Sequence, residues 1–383
     1  MATTVERALT SRLSRHILSL TVIASAVTGC ASAAGSPDTG AGPAPSTGTP
    51  SAPALAWPVK TREHVDLWLH SVAMLTTDTA KIPFFRPNYR SQMQVLKNQQ
   101  NVLSQLDANR ETLAARFRTN PELANAAQFL PLYFASWEDL KTAASHFIET
   151  EGDPRRARDA QIQAAIAALA GYFPRAADRE WFRLFMVSIE DESNDFYHGY
   201  WLQQQRNRTS LVDALNTTWQ QTYFPKFRRY LMGTQQGNGD MLLSLPIGGE
   251  GRTIGTSPTS VGPGGTLVTV TYPEREAVEA LYVFSHEIVG ALMNTVITDN
   301  TTPAQKRDGL DQQYSSDGLV IGGALLLQRI APEMADGYAR FYLQIAKAPA
   351  GGDPQAALRS AFPLPENFRA AFLRQLDIVL GGI

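Results

Sequence analysis

The sequence predicts a mainly helical α+β fold with one small antiparallel β-sheet. Segments with helical periodicity run from about residue 57 to 233 and again from residue 274 onward. Between them, residues 234–273 are rich in Gly, Ser, Thr and Pro and contain two short strand-like runs. With 44% hydrophobic and 18% charged residues, the chain has the composition of a globular protein.

The helical region is predicted to span residues 57–233. Its first helix lies in TREHVDLWLHSVAMLTTD, where apolar residues between 65 and 75 form a broad face. A longer amphipathic helix is predicted for residues 88–118, and the Asn120-Pro121 pair ends it and begins the next one. Further helical segments continue past residue 200.

The sheet is predicted from the runs MLLSL, residues 241–245, and TLVTVTY, residues 266–272. In the second run Val268, Val270 and Tyr272 alternate with less apolar neighbours, which is the period of a half-buried strand. Pro273 ends this strand, and helical periodicity returns. We therefore expect residues 234–383 to combine the small sheet with a second helical region.

The first thirty residues resemble a bacterial lipoprotein signal. Arg7, Arg12 and Arg15 give a positive start, and the short apolar run ILSLTVIASAVTG leads into VTGC. The resemblance implies that residues 1–29 are removed and that Cys30, the single cysteine of the chain, is acylated and anchors the protein in a lipid bilayer. A plain secretory signal with a chance cysteine is the alternative.

The segment after Cys30 is predicted to be a tether. Residues 31–54 are almost entirely Pro, Gly, Ser, Ala and Thr, so they bury too little apolar surface to offset the entropy of ordering. We assign residues 30–56 to the lipidated cysteine and this tether. The expected location is the cell envelope, and Ala31 after Cys30 favours the outer membrane if the cell is diderm.

Net charge excludes one class of partner. The formal charge is −2 and no long basic run occurs after the signal segment, whereas nucleic-acid binding requires a clustered basic surface. No nucleic acid is therefore expected as a partner, and no particular protein or peptide partner is indicated.

The segment YVFSHEIVGALM, residues 282–293, is the strongest candidate for chemistry. In an HExxH helix two histidines four residues apart share a face and bind one zinc ion, while the glutamate activates the bound water. His286 and Glu287 fill the first two positions here, but Gly290 replaces the second histidine. The helix is expected to be continuous and buried, and a single half-buried structural histidine is the alternative.

The order of elements around this motif resembles the gluzincin branch of the zincin metallopeptidases. There an edge strand leads into the HExxH helix, and a second helix supplies an acidic ligand followed by small residues. Residues 240–343 show this order, with Asp317 followed by glycines. The resemblance implies a Zn²⁺ cofactor, His286 and Asp317 as ligands, and Glu287 as general base. It departs from the family at Gly290 and in having Asp rather than Glu as the third ligand.

A further metal ligand is predicted in EDESNDFYHGYW, residues 190–201. Asp191, Asp195 and His198 would share one helical face. If this helix packs against the His286 helix, His198 or Asp195 would supply the missing ligand. The alternative is a solvated acidic face backed by aromatic side chains.

Three functions remain open at this stage. The first is an anchored lipoprotein whose zincin-like site is degenerate and not a competent peptidase. The second is a metal-dependent hydrolase that uses His286, Glu287, Asp317 and an unidentified ligand. The third is a non-enzymatic helical envelope lipoprotein that binds a partner or ligand. Asp317 and one further ligand should lie close to His286 in the first two cases only.

Overall fold

Helices make up most of the chain that the computed structural model describes, which is residues 57–256 and 265–381. The predicted signal segment, Cys30 and the whole predicted tether lie outside these residues. The α-helices, in chain order, are α1 Glu63–Leu75, α2 Tyr89–Gln99, α3 Gln105–Ala108, α4 Arg110–Thr119, α5 Pro121–Ala127, α6 Trp137–Glu149, α7 Ala160–Tyr172, α8 Ala176–Glu192, α9 His198–Thr218, α10 Phe224–Gly233, α11 Glu279–Ile288, α12 Gly290–Asn300, α13 Pro303–Arg307, α14 Leu310–Ile330, α15 Pro332–Ile345, α16 Pro354–Ala361 and α17 Glu366–Gly381.

Tighter and wider helical turns interrupt this series. The 3₁₀ turns are Leu130–Tyr133 and Pro154–Arg156, and the π-helical turns are Ser193–Tyr197 and Trp219–Tyr223. The first π turn joins α8 to α9 and the second joins α9 to α10. A π turn accommodates one extra residue per turn and therefore changes which side chains share a helical face.

One four-stranded sheet accompanies the helices, and together they confirm the predicted class, mainly α with a small β-sheet. The strands are β1 Val59–Thr61, β2 Gly239–Ser244, β3 Arg252–Thr256 and β4 Gly265–Thr271. Their order is β1-β2-β4-β3.

The predicted antiparallel pairing is wrong for most of the sheet. The β1–β2 and β2–β4 pairs are parallel, and only β3–β4 is antiparallel. The reason lies in the connection from Ser244 to Arg252, which carries the chain past the position of β4. Strand β3 therefore forms the outer edge, and β4 returns between β3 and β2 in the direction of β2.

The central strands are buried on both faces, so the predicted half-buried β4 is also wrong. Met241 and Val268 point into a core formed with α10 and the helices after β4, whereas Leu242 and Leu267 point into a core formed with α1 to α8. Thr269, in the middle of β4, is also completely buried. Parallel strands are typically covered on both faces in this way, and the sheet forms the layer between the two helical regions.

The predicted long helix over residues 88–118 is divided into α2, α3 and α4. Asn101 adopts a left-handed conformation with φ of 54°, which ends the first segment. Ser104 and Asp107 then form a reciprocal capping box that begins α3. Local hydrogen bonds from these polar side chains therefore override the amphipathic pattern.

A charged cluster lies in the core between α1, α2 and the end of α8. Lys97 and Glu192 are both fully buried, and Lys97 Nζ is 2.5 Å from Glu192 Oε2. Lys97 Nζ is also 2.5 Å from Asp107 Oδ2, and His70 Nε2 is 3.0 Å from Glu192 Oε1. Ser104 Oγ donates to the same glutamate. We call these five residues the buried charge cluster.

Side-chain hydrogen bonds connect α1 and a residue just before β1 to the segments that flank β2. Buried Asp66 accepts hydrogen bonds from the backbone N–H of Leu245 at 3.1 Å and from Trp201 Nε1 at 2.9 Å. Burial raises the pKa of this carboxyl to about 7, because the charged form is poorly solvated there. Trp57, at the entry to β1, donates its indole N–H to the carbonyl of Gln236.

Candidate functional site

The His-Glu motif lies on α11, directly after the sheet. Helix α11 packs against β4, α14 and α15, and its side chains are buried over nearly its whole length. The strand that leads into it is β4, which is interior, whereas the edge strands are β1 and β3. The prediction that an edge strand leads into this helix is therefore wrong. The antiparallel edge strand is β3, the neighbour of β4.

His286 and Glu287 are bonded to each other. His286 Nδ1 is 3.0 Å from Glu287 Oε1, which also accepts the backbone N–H of Gly251 at 2.9 Å. The imidazole stacks on the ring of Tyr342, with a centroid distance of 5.3 Å and an interplanar angle of 20°. The side chains of His286 and Glu287 are only 2% and 11% exposed. The Gly251 N–H and the Tyr342 ring thus hold the His-Glu pair in place, and the pair is nearly closed to solvent.

The environment of Glu287 keeps it ionised. Burial alone would raise the pKa of this carboxyl, but the hydrogen bond and charge of His286, the charge of Arg252 and the Gly251 N–H outweigh burial and lower it. A general base works best with a pKa near the working pH. A lowered pKa makes Glu287 a weak base and a good partner for a fixed ion pair.

The expected continuous helix through the motif is wrong. Helix α11 ends at Ile288, α12 begins at Gly290, and the two are bent by 41°. The carbonyl that the break frees at Ile288 accepts Gln236 Nε2 at 3.1 Å and Tyr230 Oη at 3.4 Å. The residue four after His286 therefore lies at the start of a new helix.

The same two helices are the bent pair in the described residues that meets the criterion for a membrane span. Within residues 57–256 and 265–381, no single helix is long and apolar enough to cross a bilayer. The bent pair α11–α12 meets the length and composition criterion when its members are combined. Eight of the ten α11 residues are buried inside the protein, namely Ala280 to His286 and Ile288.

Asp317 lies on α14, which packs against α11, but its partner is not His286. Asp317 Oδ1 is 3.4 Å from Lys81 Nζ, which also donates to the carbonyl of Ala361 and lies 4.0 Å from the centroid of the Phe362 ring. Burial raises the pKa of this carboxyl, and Lys81 opposes the rise. The expected His286–Asp317 pair is therefore replaced by a Lys81–Asp317 pair.

The glycines after Asp317 mark close helix contacts. A Cβ atom on Gly318 would lie 3.1 Å from Met293 Cγ, and one on Gly322 would lie 2.9 Å from Met293 Cε. A Cβ on Gly323 would overlap the hydroxyl of Tyr338. These small residues thus bring α14 against α12 and α15.

His198 lies in a different part of the molecule from the His-Glu pair. Its Nδ1 is 2.6 Å from Glu63 Oε1. Asp191 accepts the backbone N–H of Gln105 at 2.6 Å instead of facing His198. The expected shared helical face fails because the π turn Ser193–Tyr197 adds a residue between them.

His198 is one of the residues that line a cleft of about 610 Å³. Its walls are the N-terminal end of α1, the entry to α6 at Ser136 and Trp137, and the π turn at Ser193 and Asn194. No sequence pattern indicated Trp137 or Asn194 as site residues. Their signal was not in any local motif, because the three walls come together only in the folded chain.

His64, at the floor of this cleft, is held neutral. Its Nε2 is 3.0 Å from the carbonyl oxygen of Phe134. Burial lowers the pKa of the imidazole to about 4, and the nearby charge of Arg62 acts in the same direction. The Phe134 hydrogen bond and Asp139 oppose this change without reversing it. At neutral pH the floor therefore carries no positive charge at His64.

The predicted ligands do not fit a zinc site. In the described ranges, 57–256 and 265–381, no three His, Cys, Asp or Glu side chains are grouped to hold a metal ion. His286 Nδ1 is bonded to Glu287, Asp317 is paired with Lys81, and His198 is paired with Glu63. Zinc requires three or four such donors converging on one point. No catalytic step through zinc follows from this arrangement.

Evidence on the function of this chain comes from its own residues. The His-Glu pair and the cleft lined by His198 are the two features considered for function in the part of the chain that the structure describes. When compared with protein-family models, curated proteins and solved structures, the chain matches no family model, no curated protein and no solved structure.

Proposed function

We propose that this protein is a membrane-anchored bacterial lipoprotein of the cell envelope whose zincin-like site is degenerate and does not act as a peptidase. The observation that carries the proposal is the His286–Glu287 pair, which is buried and bonded internally. In this proposal the pair stabilises the contact between α11, the β3 edge and α15, and acylated Cys30 holds the body at the bilayer.

The hydrogen bonds of Glu287 support a structural role. A hydrolytic glutamate must face an activated water and receive its proton. Glu287 Oε1 instead accepts the backbone N–H of Gly251, immediately before β3, and faces the imidazole of His286. Its lowered pKa also disfavours protonation during a reaction cycle.

The helix break supports the same proposal. Two ligands from one helix must be four residues apart on an unbroken face. The bend of 41° between α11 and α12 and the absence of a side chain at Gly290 remove that geometry. The carboxylate of Asp317, the expected third ligand, is paired with Lys81.

The test of this proposal compares the full chain with its Glu287→Gln and His286→Ala variants in detergent. We expect no peptide hydrolysis above that of Glu287→Gln and no change in melting temperature on adding a chelator. His286→Ala should lower the free energy of unfolding by about 3 kcal/mol, because it removes a buried stacked ring and leaves Glu287 without one partner. Stoichiometric zinc together with hydrolysis that Glu287→Gln abolishes would establish the metal-dependent hydrolase instead.

Anchoring is tested by Cys30→Ser. The lipid is attached to the cysteine thiol, so the variant should move from the membrane fraction to the soluble fraction of the cell. Ser32→Ala serves as the matched control, since it changes a hydroxyl two residues away and should leave the protein in the membrane fraction. Membrane association that persists in Cys30→Ser would contradict the lipoprotein assignment.

A second candidate function, binding of a ligand without catalysis, is favoured by a specific observation. The cleft of about 610 Å³ beside His198 has a volume in the range of small-molecule sites. It is separate from the His-Glu pair, since its lining contains neither His286 nor Glu287. Binding there is compatible with the absence of peptidase activity.

A further inference from the structure

The cleft beside His198 has an unusual wall. Its inner side is the π turn Ser193–Tyr197, which directs Phe196 and Tyr197 into the core while Ser193 and Asn194 line the cleft. Such π turns are rare in helices overall, but many of those that occur lie at functional sites. The extra residue redirects the side chains around it. Here the extra residue places a hydroxyl and an amide in the cleft.

Buried contacts fix the π turn at its first end, next to Glu192. Glu192, the residue immediately before it, is fully buried and bonded to Lys97 and His70. Lys97 Nζ also lies 5.5 Å from the centroid of the Phe196 ring. A binding surface whose supports are already fixed loses little entropy on binding. The wall of the cleft is therefore rigid at its base.

Trp137 differs from every other tryptophan in the chain. The other five donate their indole N–H to an acceptor, in four cases a backbone carbonyl and in one the carboxylate of Asp66. Among the described residues Trp137 Nε1–H has no acceptor and its ring contacts no other aromatic ring. It is only partly buried and lines the cleft. A tryptophan N–H usually finds a hydrogen-bond acceptor when it is buried. Because the Trp137 N–H has no acceptor in the protein, it is available to a ligand.

Two further polar groups in the cleft are also free. Within the described part of the chain, the Ser193 hydroxyl and the Asn194 amide make no hydrogen bond or ion pair. An amide and a hydroxyl each donate and accept. Together with the Trp137 N–H, the cleft offers uncharged donors and acceptors beside one aromatic face.

The charged groups around the cleft are already paired. Arg62 donates to Asp240 at 3.1 Å, and Glu63 is bonded to His198 at 2.6 Å. His64 is buried and hydrogen-bonded to Phe134. An anionic or cationic ligand would find no unpaired opposite charge, and charged ligands are costly to desolvate without one.

We propose that this cleft binds an uncharged saccharide, with one sugar ring seated on the indole of Trp137 and its hydroxyls bonded to Asn194 and Ser193. A sugar ring has an apolar face of C–H groups and an edge of hydroxyls that both donate and accept. The cleft supplies an aromatic surface for the face and neutral bidirectional partners for the edge. The proposal is independent of whether the His-Glu pair hydrolyses peptides.

The test follows the indole N–H signals of the isotope-labelled full-length protein by NMR in detergent micelles. Trp137→Phe identifies the Trp137 signal by its loss. Cellotriose, maltotriose and N,N′-diacetylchitobiose are titrated to millimolar concentrations, with a trigalacturonate and an uncharged tripeptide amide as the comparison ligands. At least one neutral saccharide should shift the Trp137 signal saturably, and both comparison ligands should bind more weakly.

Variants locate the site and separate binding from folding. Trp137→Ala and Asn194→Ala should each weaken saccharide binding by about tenfold or more while leaving the melting temperature within a few degrees. Asn294→Ala, an exposed amide on α12, is the matched control and should bind as the unaltered protein does. The proposal is overturned if no neutral saccharide shifts the signal, if the tripeptide or trigalacturonate binds more tightly, or if both cleft variants bind normally.

Discussion

Replacing Lys97 with methionine is expected to lower the free energy of unfolding by about 3–5 kcal/mol. Lys97 and Glu192 are both 0% exposed, and the ammonium is 2.5 Å from the glutamate carboxylate. Methionine fills the aliphatic volume of lysine but supplies no charge. Glu192 would then keep only His70 and Ser104 as partners in a buried site, and an uncompensated buried charge is one of the costliest defects in a core.

Urea denaturation at neutral pH measures this effect. Lys141→Met is the matched control: Lys141 is a helical lysine paired with Glu138 and Glu190 at the surface, where ion pairs contribute about 0–1 kcal/mol. The double variant Lys97→Met, Glu192→Met should recover much of the loss, because it removes both charges together. A Lys97→Met protein as stable as Lys141→Met would refute the role assigned to the buried charge cluster.

The same substitution should change the acid limb of the stability curve. Burial opposes ionisation of Glu192, but His70 and Lys97 outweigh it and hold the pKa of this carboxyl at about 2 in the folded protein. Its contribution is therefore present above the unfolded pKa, near 4.5, and is lost as the pH falls toward 2. The stability difference between the unaltered protein and Lys97→Met should accordingly narrow below pH 4.5 as the pH falls.

Gly251→Ala is the second large effect that we predict, with a loss of about 3 kcal/mol. A Cβ atom at this position would overlap the carbonyl oxygen of Thr269 and lie 2.9 Å from Glu287 Cγ. The first is backbone of β4 and has no side-chain freedom with which to move aside. The β3 edge would have to shift, and with it the Gly251 N–H that binds Glu287.

Gly255→Ala is the control for this prediction. Gly255 lies within β3, four residues after Gly251, and a Cβ atom there would meet nothing within 4 Å. Thermal unfolding should show a large decrease for Gly251→Ala and almost none for Gly255→Ala. Equal effects would mean that the loss comes from replacing any glycine at this edge of the sheet, and that the contact with Thr269 and Glu287 does not contribute.

Sequence patterns predicted the fold class because helix and strand periodicity are local properties. The predicted starts of β2 and β4, at residues 241 and 266, lie within two residues of the observed starts at Gly239 and Gly265. Strand β1 was not predicted, because three residues carry no periodicity and its partner Met241 is 182 positions from Val59. The parallel pairing was missed for the same reason, since register between distant segments leaves no local signal.

The candidate site was predictable only in part. Gly290 in place of a histidine was visible in the sequence and agrees with the helix break that the structure places there. The partner of Asp317 was not predictable, because Lys81 is 236 residues away in the chain. Glu192 belongs to an acidic run for which a solvated face was the alternative, and its burial against Lys97 appears only in the folded chain.

The pairing of β1 with β2 also constrains the order in which the chain can assemble. Val59 leaves the ribosome early, yet Met241, its partner in the sheet, follows 182 residues later. At about 5–20 residues per second this delay is roughly 10–40 s. Helices α1 to α9 can make local contacts during that interval. Pairing of β1 with β2 must instead close the long loop between them, which costs conformational entropy. The first strand of the body is thus among the last to reach its place.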